Sequence, residues 1–108
     1  MQFIVIGLDG SDDKAPERRM AAREDHIEMG DKLLKSGSLW YGAALLNDDD
    51  TMKGSLYVVD FPSEKELQEW LDKEPYVVGK VWQSITVHKS NTREPWQFNR
   101  PKSFFQSK

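Results

Sequence analysis

Arg19, Arg23 and His26 recur at steps of four and three residues, and Gly30 follows at the next step of four. On an α-helix such steps share one face. Two guanidinium groups and an imidazole would then sit together, with a glycine leaving room beside them. Guanidinium is suited to holding an anion or a developing oxyanion, and imidazole to moving a proton. A partner is suggested by LDKEPYVVGKVW (71–82), where Glu74 immediately precedes a proline. Glu74 lies seven, four and three residues beyond Leu67, Trp70 and Leu71. It therefore continues their apolar side. A carboxylate that reaches an imidazole fixes the ring's tautomer and orientation, which is what a general base needs.

A helical wheel over residues 16–36 sets the constellation in context. Glu17, Arg18, Glu24, Asp25, Glu28, Asp31, Lys32 and Lys35 collect on one half. Met20, Ala22, Ile27, Met29, Leu33 and Leu34 collect on the other, with Arg19, Arg23, His26 and Gly30 at its centre. A buried unpaired charge is strongly unfavourable, so these arginines need partners. The wheel alone favours the plainer reading, in which the arginines snorkel at the helix edge and His26 is a satisfied core residue. Glu74 shifts the balance toward a site. The plain counterpart there is a buried Glu–Arg pair that pins two helices together.

The elements that must position these groups follow from the same sequence. QFIVIGL (2–8), SLWYGAALL (38–46), SLYVVDF (55–61) and VWQSITVH (81–88) read as strands, being apolar and β-branched or aromatic between turn residues. A helix is expected from about Ala15 to Ser36, capped by Asp12 or Asp13, with Pro16 in its first turn and Gly37 just past its end. Residues 47–54 form a turn-rich connection. Ser63 and Glu66 open a second helix as a capping box, and it ends near Lys73 because Pro75 disfavours helix at Glu74. The order βαββαβ predicts an α+β, ferredoxin-like fold: a four-stranded antiparallel sheet with two helices on one face.

Both alternating sets in SLWYGAALL are apolar, and FIVIGL and LYVVDF behave likewise. Such strands are buried on both faces. Two helices cover one face only, so a second copy of the sheet is expected on the other, giving a homodimer. The alternative cover is the C-terminal extension, residues 90–108, which follows the domain at 1–89. It carries Pro95 and Pro101 among polar residues, yet also Trp96, Phe98, Phe104 and Phe105, and is expected to dock.

Composition narrows the function classes. The 108 residues suit one domain. A net charge of −3 with interspersed signs gives no support to nucleic-acid binding. No apolar run approaches the ~20 residues of a membrane span. The first residues lack a basic region followed by a cleavage site, so no signal peptide is expected. Cysteine is absent, which removes disulfide and thiolate chemistry and fits the cytoplasm. His26 and His88 are too far apart in sequence to suggest a metal-ligand cluster, and no glycine-rich phosphate loop is present. The expectation is cofactor-free and metal-free chemistry.

Four segments together resemble the YCII family of small dimeric α/β-barrel proteins. They are REDH (23–26), SGSLWYGAAL (36–45), GSLYVVDF (54–61) and DKEPYVVGKVW (72–82). The resemblance runs from Met1 to about Lys89. It implies a ferredoxin-like dimeric α/β barrel joined through sheet faces. It also implies an active-site cleft around the histidine and the acid before proline, here His26 and Glu74, and Arg23 matches the family arginine. In the family the acid is usually Asp. Glu74 carries the carboxylate one methylene further, roughly 1.3–1.5 Å. The proline common after the second-strand glycine is also missing.

Two functions follow as expectations. In the first, His26 held by Glu74 is the general acid/base of a small lyase-, isomerase- or dehalogenase-like enzyme acting on a small organic substrate. Arg19 and Arg23 would hold its anionic group, and Trp40 and Tyr76, with Tyr41 and Trp82, would form walls. In the second, the same cleft belongs to a non-catalytic small-ligand-binding dimeric module.

Overall fold

A computed structural model describes residues 1–94. The elements run β1 (Gln2–Asp9), α1 (Ala15–Ser36), β2 (Leu39–Leu46), β3 (Met52–Asp60), α2 (Glu64–Lys73), α3 (Pro75–Val78) and β4 (Trp82–Ser90). The strands form one antiparallel sheet in the order β2-β3-β1-β4, which is the expected ferredoxin-like α+β arrangement. The four aromatics at 96, 98, 104 and 105, on which the docking expectation for the extension rests, lie outside the described residues.

Register decides which side chains meet. Phe3 pairs with Val59, Val5 with Tyr57 and Gly7 with Ser55. Directly opposed residues share a face, so this set points toward the helices. Phe3, Val5 and Val59 are almost fully buried there against Leu67, Trp70 and Leu71 of α2. The other set, including Ile4, Ile6, Leu8, Leu56 and Tyr41, faces away. On that side Leu8 and Tyr41 are exposed, while Val58, opposite Ile4, is buried. Ile85 and Val87 share the helix side through their pairing with Gly7 and Val5, but sit at the β4 edge and are also exposed.

Several boundaries differ from expectation. Lys14, not Asp12 or Asp13, occupies the N-cap of α1, without a side-chain cap. Asp12 instead accepts the Ala15 N–H through its backbone carbonyl and binds Arg18 with both carboxylate oxygens, at 2.6 and 2.8 Å. β3 begins at Met52, so the β2–β3 connection is shorter than the turn-rich sequence suggests. Gly37 ends α1 at φ 86°, the left-handed conformation that glycine adopts without strain. Ser63 caps α2 by accepting the Glu66 N–H at 3.3 Å.

α1 buries a narrower stripe than the wheel implies. Ala22, Met29 and Leu33 pack against the core, but Met20, Ile27 and Leu34 are exposed. The reason is geometric. A helix lying on one sheet touches it along one row of i, i+4, i+7 positions. Arg19, Ala22, His26, Met29 and Leu33 supply that row, while residues 20, 27 and 34 form the flanking one.

Candidate functional site

The end of α2 builds the acid's position. Glu74 has φ −60° and ψ 123°, the extended conformation that a following proline imposes. Its N–H still donates to the Trp70 carbonyl at 2.9 Å, closing α2. Its side chain then accepts the Tyr76 N–H at 3.2 Å, capping α3, with Pro75 in that helix's first turn. The proline therefore stops one helix and starts another, and the second was not anticipated. The turn points the Glu74 side chain inward, where the residue is 1% exposed.

His26 arrives from α1. Its Nδ1 is hydrogen-bonded to Glu74 Oε1, and its Nε2 to the Tyr57 hydroxyl. The ring stacks on Tyr76, with centroids 3.6 Å apart and planes within 5°. Trp82 meets the rings of His26, Tyr57 and Tyr76. The imidazole is thus fixed by both nitrogens and by one face. A carboxylate only accepts, so Nδ1 carries hydrogen. In the neutral ring Nε2 is then the acceptor, and Tyr57 donates to it.

Tyr57 escaped sequence reading. It reaches the site because β3 pairs with β1 in the register that turns Tyr57 to the helix side. A signal existed in β2: Gly42 is opposite Tyr57, and a Cβ there would stand 2.8 Å from the phenol ring. Burial, and then the negative charge of Glu74, push the Tyr57 pKa well above the ordinary tyrosine value, so it stays a neutral phenol at physiological pH.

The two arginines have different situations. Arg19 is bound by Asp9, with Nε to Oδ2 at 2.6 Å and Nη2 to Oδ1 at 3.1 Å, and both side chains are largely buried. Its guanidinium lies 4.8 Å from the Tyr76 ring centroid. Burial works against the Arg19 charge, but the Asp9 hydrogen bond and charge outweigh it and raise the pKa. Asp9 is the last residue of β1, a strand end that the sequence gives no reason to connect with the site. Arg23 is exposed, and its charge acts on the nearby Tyr76 phenol.

A cleft of about 260 Å³ opens between α1 and the β2–β3 half of the sheet. Arg19, Arg23, His26, Ser55, Tyr57 and Tyr76 line it, over a floor at Gly42, Ala43 and Ala44. Trp40 is not part of this wall; it falls where the β2 register slips between Leu39 and Tyr41. Tyr41 faces the opposite side of the sheet, and Trp82 lies behind the rings rather than on the cleft. Among the described residues, no group of three or more His, Cys, Asp or Glu side chains is placed to hold a metal. No helix among them is long and apolar enough to cross a membrane.

Comparison with known proteins agrees with this architecture. The sequence model of the YCII-related domain matches residues 1–91. The structure of 5-chloro-2-hydroxyhydroquinone dehydrochlorinase from Burkholderia phenoliruptrix, solved in complex with 2,5-dihydroxybenzoquinone, is similar with a TM-score of 0.73. The two share 18% identity over 84% of this chain and 94% of that one. A dimeric ferredoxin-like protein of unknown function from Jannaschia sp. is similar with a TM-score of 0.53 and 14% identity, over 84% of this chain and 98% of that one. None of the curated proteins matches the sequence.

Proposed function

The chain belongs to the YCII-related domain family, and on that premise we propose that it is a small cofactor-free enzyme of the lyase, isomerase or dehalogenase kind. Glu74 and His26 form its acid/base pair, and the substrate is a small hydroxylated organic molecule that becomes anionic in the reaction. The observation that carries this reading is the buried Glu74–His26 contact beside a cleft walled by arginine. The cleft volume is near the lower end for ligand sites, which suits a single substituted ring. Support also comes from the similar fold of the dehydrochlorinase, whose ligand is such a ring.

Roles divide by environment. Arg19 is neutralised by Asp9 and holds the wall. Arg23, exposed at the cleft, supplies the charge that meets the substrate anion. Tyr76 stacks beneath His26 and fixes the plane of its ring. The working unit is a homodimer whose outer sheet faces pack together, burying Ile4, Ile6, Leu8 and Leu56.

The test is calorimetric titration of 2,5-dihydroxybenzoquinone into the wild type and Arg23→Gln, with a chloride-release assay on 5-chloro-2-hydroxyhydroquinone. Loss of one charged contact of about 1.5–3 kcal/mol weakens binding roughly ten- to hundredfold. Equal affinity in the variant would remove Arg23 from the site, and no binding at all would remove the substrate class. One observation favours a second reading, a non-catalytic small-ligand-binding dimeric module: both ring nitrogens of His26 are already occupied. Binding without turnover across small hydroxylated and halogenated rings would select it.

A further inference from the structure

A general base needs a free lone pair facing its substrate. His26 has none in the resting site. Nδ1 belongs to Glu74 and Nε2 to Tyr57. The phenol lines the same cleft as His26, beside Arg19 and Arg23. Its position is also constructed. Gly42 clears space for the ring, and the β1–β3 register aims it at His26.

We propose that Tyr57 is the catalytic residue that meets the substrate, and that His26 and Glu74 act through it as a proton relay. This rests on the acid/base reading above and names the atom at which its proton is exchanged. The ligand class is a weakly acidic hydroxyl, phenolic or enolic, of a size the cleft admits. In the step, the ligand O–H bond breaks and a new O–H bond forms at Tyr57 Oη. At the same time the original Tyr57 O–H bond breaks and an N–H bond forms at His26 Nε2. The electron pair stays on the ligand oxygen, which becomes an anion beside Arg23. His26 becomes an imidazolium, hydrogen-bonded to the Glu74 carboxylate and stacked on Tyr76. No free phenolate arises, consistent with a buried phenol that resists ionisation.

The groups facing the His26 ring are Glu74 at the α2–α3 junction, Tyr57 on β3, and Tyr76 on α3. Arg19, held by Asp9, and Arg23 stand further along α1. Any change of protonation at His26 is therefore read with Tyr57 varied and the other groups intact.

The probe is 4-nitrophenol, whose anion absorbs separately from its neutral form. It is titrated into the wild type and Tyr57→Phe at a pH just below the probe's own solution pKa. Nitrophenolate absorbance and the His26 ring nitrogen shifts are followed together by spectrophotometry and NMR. The wild type is expected to bind the probe as nitrophenolate, with His26 turning to imidazolium in step. Tyr57→Phe is expected to bind within about threefold, less than 1 kcal/mol, while the probe stays neutral and His26 stays uncharged. A variant that still yields nitrophenolate and imidazolium overturns the relay, because the proton has then reached Nε2 directly and Tyr57 is only a prop.

A second measurement needs no ligand. The relay requires neutral His26 to carry its hydrogen on Nδ1 in the free wild type. The opposite tautomer overturns the proposal even if no probe binds. Absence of probe binding in the wild type counts against the acid/base function itself, and the tautomer then still judges the relay.

Discussion

Glu74 is the residue whose replacement asks most of the structure. One carboxylate oxygen, Oε1, accepts from both His26 Nδ1 and the Tyr76 N–H, inside a residue that is 1% exposed. Glu74→Ala removes the cap of α3, worth about 0.5–2 kcal/mol. It leaves a buried imidazole N–H without an acceptor, about 1–3 kcal/mol more. It also deletes buried methylene surface, about 0.8 kcal/mol per group. The combined loss is about 3–5 kcal/mol, a large share of the 5–15 kcal/mol typical of a domain. Glu74→Gln keeps the shape, and its amide oxygen in the place of Oε1 still accepts from both donors; what it loses is the negative charge opposite the imidazole. Its cost is about 1 kcal/mol. Glu74→Asp withdraws the oxygen by one methylene and leaves one of the two donors unmatched, placing it between. Urea unfolding measures the series. With slopes of roughly 1–3 kcal/mol/M, the Ala variant loses at least about 1 M in midpoint and the order is Gln, Asp, Ala. An Ala variant within about 0.5 kcal/mol of wild type would refute the idea that this carboxylate ties α1 to α3.

Three further outcomes follow from other contacts. Gly7→Ala would place a Cβ 2.6 Å from Cε2 of Trp82, so the indole must move away from Tyr57, Tyr76 and His26. A loss of about 1–3 kcal/mol in thermal unfolding is expected, with an altered near-UV circular dichroism spectrum, and an unchanged spectrum would contradict the packing. Tyr57 keeps its proton above the usual range because of burial and the Glu74 charge. Its contribution to stability is complete below the unfolded tyrosine value near 10 and declines as pH rises from there toward the folded value. Urea midpoints between about pH 8 and 11 should fall in the wild type and fall less in Tyr57→Phe; Tyr76, shifted upward mainly by burial, sustains part of the slope. Parallel slopes would remove Tyr57 as a cause. Ile6→Asp puts a charge on the outer sheet face and should convert a sedimenting dimer to monomer without unfolding it. A wild type that sediments as monomer at every concentration tested would end the dimer proposal.

The difference between what sequence discloses and what it hides here is a difference of period. His26 and Glu74 were legible because each continues a helical stripe, 22-26-29-33 on one helix and 67-70-71-74 on the other, and both stripes must face the same core. Tyr57 was not. In LYVVD, neighbouring positions are equally apolar, so alternation cannot say whether Leu56 or Tyr57 faces inward. The answer lies in pairing with Val5, which is a property of two strands. Arg19 shows a related limit. Its stripe position foretold burial, and burial foretold a partner, but Asp9 sits at a strand end where turn chemistry explains it equally well. The exposed row at Met20, Ile27 and Leu34 reveals the opposite error: the wheel sees an apolar half, whereas one sheet can touch only part of it.

The longer acid at Glu74, where the family resemblance implies Asp, now has a physical reading. Glu74 caps α3 with the same oxygen that reaches His26, and α3 carries Tyr76, the ring on which His26 stacks. One side chain thus fixes the imidazole through its nitrogen and, by holding α3, through its face. The departure at this position does not break the pair. It joins the position of His26 to the fold of the short helix, so that a substitution which loosens α3 must also turn His26 away from Tyr57. That coupling is why the stability order of the Glu74 variants and the relay proposed for Tyr57 are two readings of one contact. A variant that separated them, with α3 loosened and His26 still bonded to Tyr57, would show that the ring is held by α1 alone.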